Sequence, residues 1–187
     1  QRVGLARRVG GVVYPPVYFG AGGGHTHWPH SYMVSADAMV AIVTQLLHGF
    51  DHDGYTHAIL LSGHYPNRSQ YLDAAIAAHR DAGGTIRVLA LLENQVEGIA
   101  GDHAAHYETS AMLYLDPSTV DMAQLERPPR DDFGPPDQVI NYMGDEYAGH
   151  PCYGLLGIDP RPHASAAVGR AASERLIDYL AAWLDAA

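Results

Sequence analysis

The sequence predicts an α/β fold with a mostly parallel central sheet. Three observations carry that reading. His57-Ala58-Ile59-Leu60-Leu61 and the run from Ile86 to Leu92 are short and almost continuously apolar, as strands buried on both faces are. Stretches with helical spacing lie before and between them: Met39, Val43, Leu46, Leu47 and Phe50, then Leu72, Ala75, Ile76 and His79. The resulting β-loop-α-β-α-β order requires crossover connections, and crossovers join parallel strands. A chain of 187 residues suits one domain with a substantial core, so residues 1–187 read as a single domain.

Each element has its own local reason. Gln1 to Gly11 reads as the end of a helix closed by glycine, and without an initiator Met it points to residues preceding Gln1. Val12-Val13-Tyr14 reads as a short strand closed by Pro15-Pro16. A loop with Gly20, Gly22, Gly23 and Gly24 then carries His25-Thr26-His27-Trp28-Pro29-His30. Ser35 is placed to cap the next helix, which Gly49 and Gly54 should end. The first apolar strand stops at Ser62-Gly63-His64-Tyr65-Pro66-Asn67. A helix from about Ser69 to Ala82 follows, stopped by Gly83-Gly84, and then the strand from Ile86 to Leu92. Glu108 to Leu115 reads as a helix ended by Asp116-Pro117. Glu126 to His150 is rich in Pro, Gly and Asp and reads as an ordered excursion, where Tyr142, Tyr147 and Tyr153 could line a pocket or an interface. Tyr153 to Gly157 reads as a last strand. Ser165 opens a terminal helix with Val168, Leu176, Tyr179, Leu180, Trp183 and Leu184 on its apolar side.

Composition narrows the function. The formal net charge of −10 argues against nucleic-acid binding, which needs a basic stripe. No apolar run is long enough to span a bilayer, so no membrane partner is expected. A single cysteine, Cys152, excludes an intrachain disulfide and fits a reducing, cytoplasmic setting. It reads as a small apolar residue in a turn.

Three histidine-bearing segments could carry chemistry. His64 stands just past the carboxyl end of a strand, where open α/β sheets place their ligands. Asp102-His103-Ala104-Ala105-His106-Tyr107-Glu108-Thr109-Ser110 spans a loop-to-helix junction. His103 and Glu108 there could converge on one centre, or the acidic residues could simply cap the helix. The alternating histidines His25, His27 and His30 could bind zinc or belong to a polar loop. His48, His52, His57 and His79 lie at helix ends or on exposed faces and read as structural or solvated. There is no phosphate-binding loop, no nucleophile elbow and no His-Glu-x-x-His helix.

Two of these segments resemble the creatininase (creatinine amidohydrolase) family. Leu61-Ser62-Gly63-His64-Tyr65-Pro66-Asn67 is similar to the family's Asn-Gly-His-Gly-Gly-Asn or Asn-Gly-His-Tyr-Glu-Asn. His103-Ala104-Ala105-His106-Tyr107-Glu108-Thr109-Ser110 is similar to His-Ala-Gly-Glu-x-Glu-Thr-Ser. Tyr18-Phe19-Gly20, His27-Trp28-Pro29, Asp116 to Asp121 and Gly154 to Pro160 resemble further family segments in the same order. The resemblance implies a three-layer αβα sandwich and a metal-dependent amidohydrolase, often a hexamer, so a homo-oligomer is expected. It implies a divalent metal, zinc or manganese with iron as a third option, whose bound water attacks the C–N amide carbon of a small molecule, a cyclic amide or formamide.

Carried over position by position, the resemblance makes His64 and Glu108 metal ligands and His103 the proton shuttle. Asp102 becomes its acidic catalytic neighbour, and Tyr65 a substrate-pocket residue. His27 is assigned to substrate binding with it. The chain also departs from the pattern. The family's Glu-x-His segment, with an Asp about ten residues on, would precede Gln1. Pro66 stands where creatinine-hydrolysing members carry a metal-binding glutamate. Gly98 to Gly101 stand where a tryptophan is expected, and His30-Ser31 replaces a Gly-Thr pair. Creatinine is therefore not the expected substrate. The alternative is a non-catalytic scaffold or small-molecule binding protein on the same fold.

Overall fold

The computed structural model describes residues 1–22, 30–126, 135, 138–150 and 152–186. Its elements run α1 (Arg2–Val9), α2 (Ala36–His52), β1 (His57–Ser62), α3 (Asp73–Asp81), β2 (Arg87–Leu92) and α4 (His106–Leu115). β3 (Ile140–Asn141), β4 (Leu156–Gly157), α5 (Pro160–His163) and α6 (Ala166–Asp185) follow. They form two compact units, Val12–Gln95 on the one hand and Gln1–Gly11 with Val96–Ala187 on the other.

In the first unit β1 and β2 pair in parallel, from His57 opposite Arg87 to Ser62 opposite Leu92. The helical crossover between them is the one the apolar pattern predicts. That crossover is Arg68–Leu72 with α3; α2 precedes β1 and is capped by Ser35, whose hydroxyl accepts the Ala38 N–H at 3.3 Å. Met39, Val43 and Leu47 form the buried stripe of α2 and meet Leu72, Ala75 and Ile76 across the core, with Val88 and Ala90 of β2. Gly49 does not end α2. The helix runs to His52 and Gly54 turns the chain at φ +83°, because one glycine costs only about 1 kcal/mol against a well-buried stripe.

The second helix differs at its start. Arg68–Leu72 winds as one wide π turn before α3 continues as a regular helix. His79 is wholly buried rather than exposed. Its Nδ1 lies 3.2 Å from His48 Nδ1, and its Nε2 lies 3.3 Å from Asp51 Oδ2. A Cβ at Gly84 would fall 2.2 Å from the ring, so Gly83 turns the chain out of α3 at φ +87° and Gly84 beside it admits the imidazole. Val12-Val13-Tyr14 forms no strand; it is exposed. Pro15 and Pro16 bring no N–H to a ladder. Tyr14 instead rests edge-on against Phe50, ring centroids 5.1 Å apart.

In the second unit α1 ends at Gly10, φ +81°, as a glycine-closed helix should. It is tied to α6 by Arg8 with Asp178 and by Gln1 Nε2 donating to Ser173 Oγ at 3.4 Å. Ser165 caps α6 through the Val168 N–H. The buried face of α6 is Gly169, Ser173, Leu176 and Leu180. Val168 and Tyr179, expected on the apolar side, are exposed, because the small residues Gly169 and Ser173 take the close contact. A Cβ at Gly169 would sit 2.0 Å from the Ser110 carbonyl oxygen of α4. Ser110 Oγ donates to the His106 carbonyl and accepts the Ser165 N–H, locking α4 to the start of α6.

The last strand shrinks to Leu156–Gly157 and pairs antiparallel with β3, not parallel. Part of the 126–150 excursion lies outside the described residues. Within the rest, Tyr142 stacks on His150 at 4.3 Å and meets Tyr147 edge-on at 4.9 Å. Cys152 is buried with Ala105, Ile140 and Leu155. Among the described residues no helix is long and apolar enough to cross a membrane.

Candidate functional site

Asp102, His103 and Glu108 meet at the start of α4, and the sequence explains why. Residues 102–105 form a turn whose Ala104 takes φ +53°. That turn brings the Asp102 carboxylate back over the helix. Asp102 Oδ2 accepts the Tyr107 N–H at 2.5 Å, and Oδ1 accepts the Glu108 N–H at 3.0 Å. Glu108 reaches back in turn, its Oε2 accepting the Ala104 N–H at 2.7 Å. This is a reciprocal cap displaced by a few residues, satisfying donors that the helix cannot satisfy itself. Burial raises the Asp102 pKa above the usual carboxylate value, opposed by the Tyr107 and Glu108 N–H bonds and by nearby His106. The carboxylate is thus committed to holding the helix start.

His103 is fixed from its other side. Its backbone bridges Leu156, N–H to carbonyl at 2.8 Å and back at 2.9 Å. Its Nδ1 lies 2.5 Å from the Gly154 carbonyl oxygen. A carbonyl can only accept, so Nδ1 carries the proton and the neutral ring keeps its lone pair on Nε2. Gly157 allows β4 to pass this close: a Cβ there would lie 2.5 Å from Ala105 Cβ and 2.8 Å from Asp102 Cβ. The sequence pointed to His103 but not to its partners, since Gly154 and Leu156 are more than fifty residues away in the chain. The glycines of Gly154-Leu155-Leu156-Gly157 were the available signal.

His64 and Tyr65 belong to the other unit, on the turn directly after β1. Both are half-buried. The His64 backbone is held by Ser62 and Asn67, two buried polar residues. Pro66 opens the following helix: its carbonyl accepts the Gln70 N–H at 3.0 Å and the Ser69 hydroxyl at 3.4 Å. His25 and His27 lie outside the described residues. His30 has φ +66° and its ring faces Tyr32 at 6.5 Å.

An imidazole and a carboxylate are donors that suit zinc or manganese, so His64 and Glu108 fit such an ion by type. Among the described residues, however, no three His, Cys, Asp or Glu side chains gather as a metal-binding group. The described residues therefore supply donors and not a whole coordination sphere.

Comparison with known proteins gives the lineage. The family model described as creatinine amidohydrolase matches residues 2–184. A curated creatinine amidohydrolase from Pseudomonas putida is 26% identical over 157 residues, a match covering 71% of this chain and 60% of that protein. The crystal structure of a creatinine amidohydrolase (creatininase) superposes with a TM-score of 0.70 at 25% identity, over 96% of this chain and 76% of the other. A manganese creatininase gives the same TM-score and identity over 96% and 77%. A zinc–zinc form carrying a Glu-to-Gln mutation gives 0.69 at 25% identity with the same coverage. The curated match spans less than two thirds of that relative's length, yet the family model spans nearly all of this chain: the chain has the α/β fold of the creatininase family and belongs to that family.

Proposed function

We propose that the protein is a metal-dependent amidohydrolase acting on a C–N amide bond of a small molecule, a cyclic amide or formamide. The observation that carries the proposal is His103, whose Nδ1–H is spent on the Gly154 carbonyl and whose Nε2 is thereby set as a proton acceptor. A general base needs that combination of fixed tautomer and oriented lone pair. His64 and Glu108 would hold the ion, zinc or manganese with iron as a third option. When bound, such an ion acidifies a coordinated water and polarises a carbonyl oxygen. His103 would take a proton at Nε2 and return it to the leaving nitrogen. Asp102 would serve by keeping the helix start, and Glu108 with it, in place. Tyr65 and His27 would bind substrate. A homo-oligomer, a hexamer by family, and a cytoplasmic location complete the reading.

The test is metal content and turnover on one preparation. Protein loaded with Zn2+ or Mn2+ is assayed against cyclic amides and formamides, alongside His64→Ala and His103→Gln. His64→Ala should lose both metal and turnover, whereas His103→Gln should keep metal and lose turnover by about 10²–10⁴-fold. Unchanged metal in His64→Ala overturns the ligand assignment.

The second reading, a binding protein without catalysis, is favoured by Pro66. It stands where creatinine-hydrolysing members place a metal-binding glutamate, and here its carbonyl starts a helix. Ligand binding without turnover in the same assay would establish it.

A further inference from the structure

The turn that carries His64 is organised around one hydroxyl. Ser62 Oγ donates to the His64 carbonyl at 3.0 Å and accepts the His64 N–H at 3.2 Å. Asn67 Nδ2 lies 3.1 Å from the same oxygen. A serine hydroxyl has one proton, and here the His64 carbonyl receives it. The contact with Asn67 must therefore run from the amide NH2 to the hydroxyl. This fixes which way the Asn67 amide faces: Nδ2 toward Ser62, with Oδ1 nearest Gly20. A Cβ at Gly20 would stand 3.0 Å from Oδ1, so glycine leaves that side clear. The Asn67 N–H adds a second bond to the His64 carbonyl at 3.2 Å.

Both backbone polar groups of His64 thus end on Ser62 or Asn67. Each of these is only 8% exposed, where water competes poorly for such bonds and the bonds hold geometry well. The motif this turn resembles has asparagine at the place of Ser62, so the hydroxyl-centred frame is a property of this chain.

We propose that Ser62 and Asn67 are positioning residues for His64: the Asn67 amide orients the Ser62 hydroxyl, and the hydroxyl fixes the His64 backbone and hence the origin of its ring. The consequence for metal binding rests on the ligand role proposed above for His64; the positioning itself does not. Groups that orient a ligating histidine typically contribute 10–100-fold in metal affinity.

The test uses Ser62→Ala, Asn67→Ala, their double variant, and Asn67→Asp. The last is nearly isosteric but presents only acceptors, so the Ser62 proton turns to it and leaves the His64 carbonyl. Two measurements are made on each. The first is the set of His64 ring signals in metal-free protein by NMR, identified by their loss in His64→Ala. The second is Zn2+ affinity by calorimetry. The single variants should shift or split the His64 signals and weaken Zn2+ binding by about 10–100-fold. The double variant should be no worse than the worse single, because both act through one hydroxyl. Unchanged His64 signals in Asn67→Asp and Ser62→Ala overturn the proposal, as does a fall in Tm with no change in either measurement. Shifted signals together with Zn2+ binding that survives His64→Ala support the positioning role and overturn the ligand reading instead.

Discussion

Gly169→Ala is the most demanding test of how α4 is held. The added Cβ would lie 2.0 Å from the Ser110 oxygen, 2.5 Å from the Ser110 carbonyl carbon and 3.0 Å from Ala111 Cα. All three are backbone atoms of a helix, so no side chain can swing aside. Restoring ordinary contact requires α4 and α6 to part by more than about 1 Å. Overpacking of this kind costs about 1–3 kcal/mol. Parting the helices also stretches the bond from the Ser165 N–H to Ser110 Oγ, now 3.1 Å, worth about 0.5–1.5 kcal/mol. Against this, alanine gains about 1 kcal/mol over glycine in a helix. The expected net loss is about 0.5–3.5 kcal/mol, a fall in Tm of roughly 1–14 °C for a chain of this size. Gly49→Ala is the control: it sits inside α2, exposed, with nothing within 4 Å of its Cβ. It should gain about 0.5–1 kcal/mol. Urea denaturation followed by far-UV circular dichroism measures both. A Gly169→Ala midpoint equal to or above that of the parent refutes the close-packing argument.

Two further predictions concern single groups. Asp51 is held below the usual carboxylate range, first by the Thr85 hydroxyl, then by the Thr85 N–H, with His79 adding to it. A depressed carboxylate contributes stability that is present above its unfolded pKa of about 3.9 and is lost as pH falls through the folded value. Thr85→Val should therefore flatten the fall of the urea midpoint at acid pH; an unchanged slope counts against the assignment. For His103, nitrogen-15 NMR of the neutral ring should show the Nδ1–H tautomer, as donation to the Gly154 carbonyl requires. The Nε2–H pattern would remove the basis for its role as a base.

The parts legible in the sequence were those with local causes. The parallel pair β1–β2 and α2 follow from apolar period, a serine cap and the glycine turn at Gly54. The cap at Asp102 and Glu108 was also open to reading, as one of two alternatives, since acidic residues favour a helix start. What escaped had distant causes. Val12 to Tyr14 has strand-forming residues, but adjoining prolines leave it without a ladder. Val168 and Tyr179 look apolar by spacing, yet small Gly169 and Ser173 decide which face of α6 approaches α4. His79 looks like a solvated helix-end residue until Gly84 and Asp51 are placed around it. The partners of His103 lie far along the chain, and the direction of the Asn67 amide depends on one serine proton. None of these leaves a periodic trace.

The wide turn at Arg68–Leu72 has a consequence for how the chain can change length. A π turn holds one residue more than an α turn needs. Loss of one residue within 68–70 would tighten it to ordinary helix while Leu72, Ala75, Ile76 and His79 keep their mutual spacing and their face toward α2. The same loss inside α3 would rotate everything beyond it by about 100° and carry His79 out of its niche. The segment joining the His64 turn to the core is thus where a single codon can be removed at least cost.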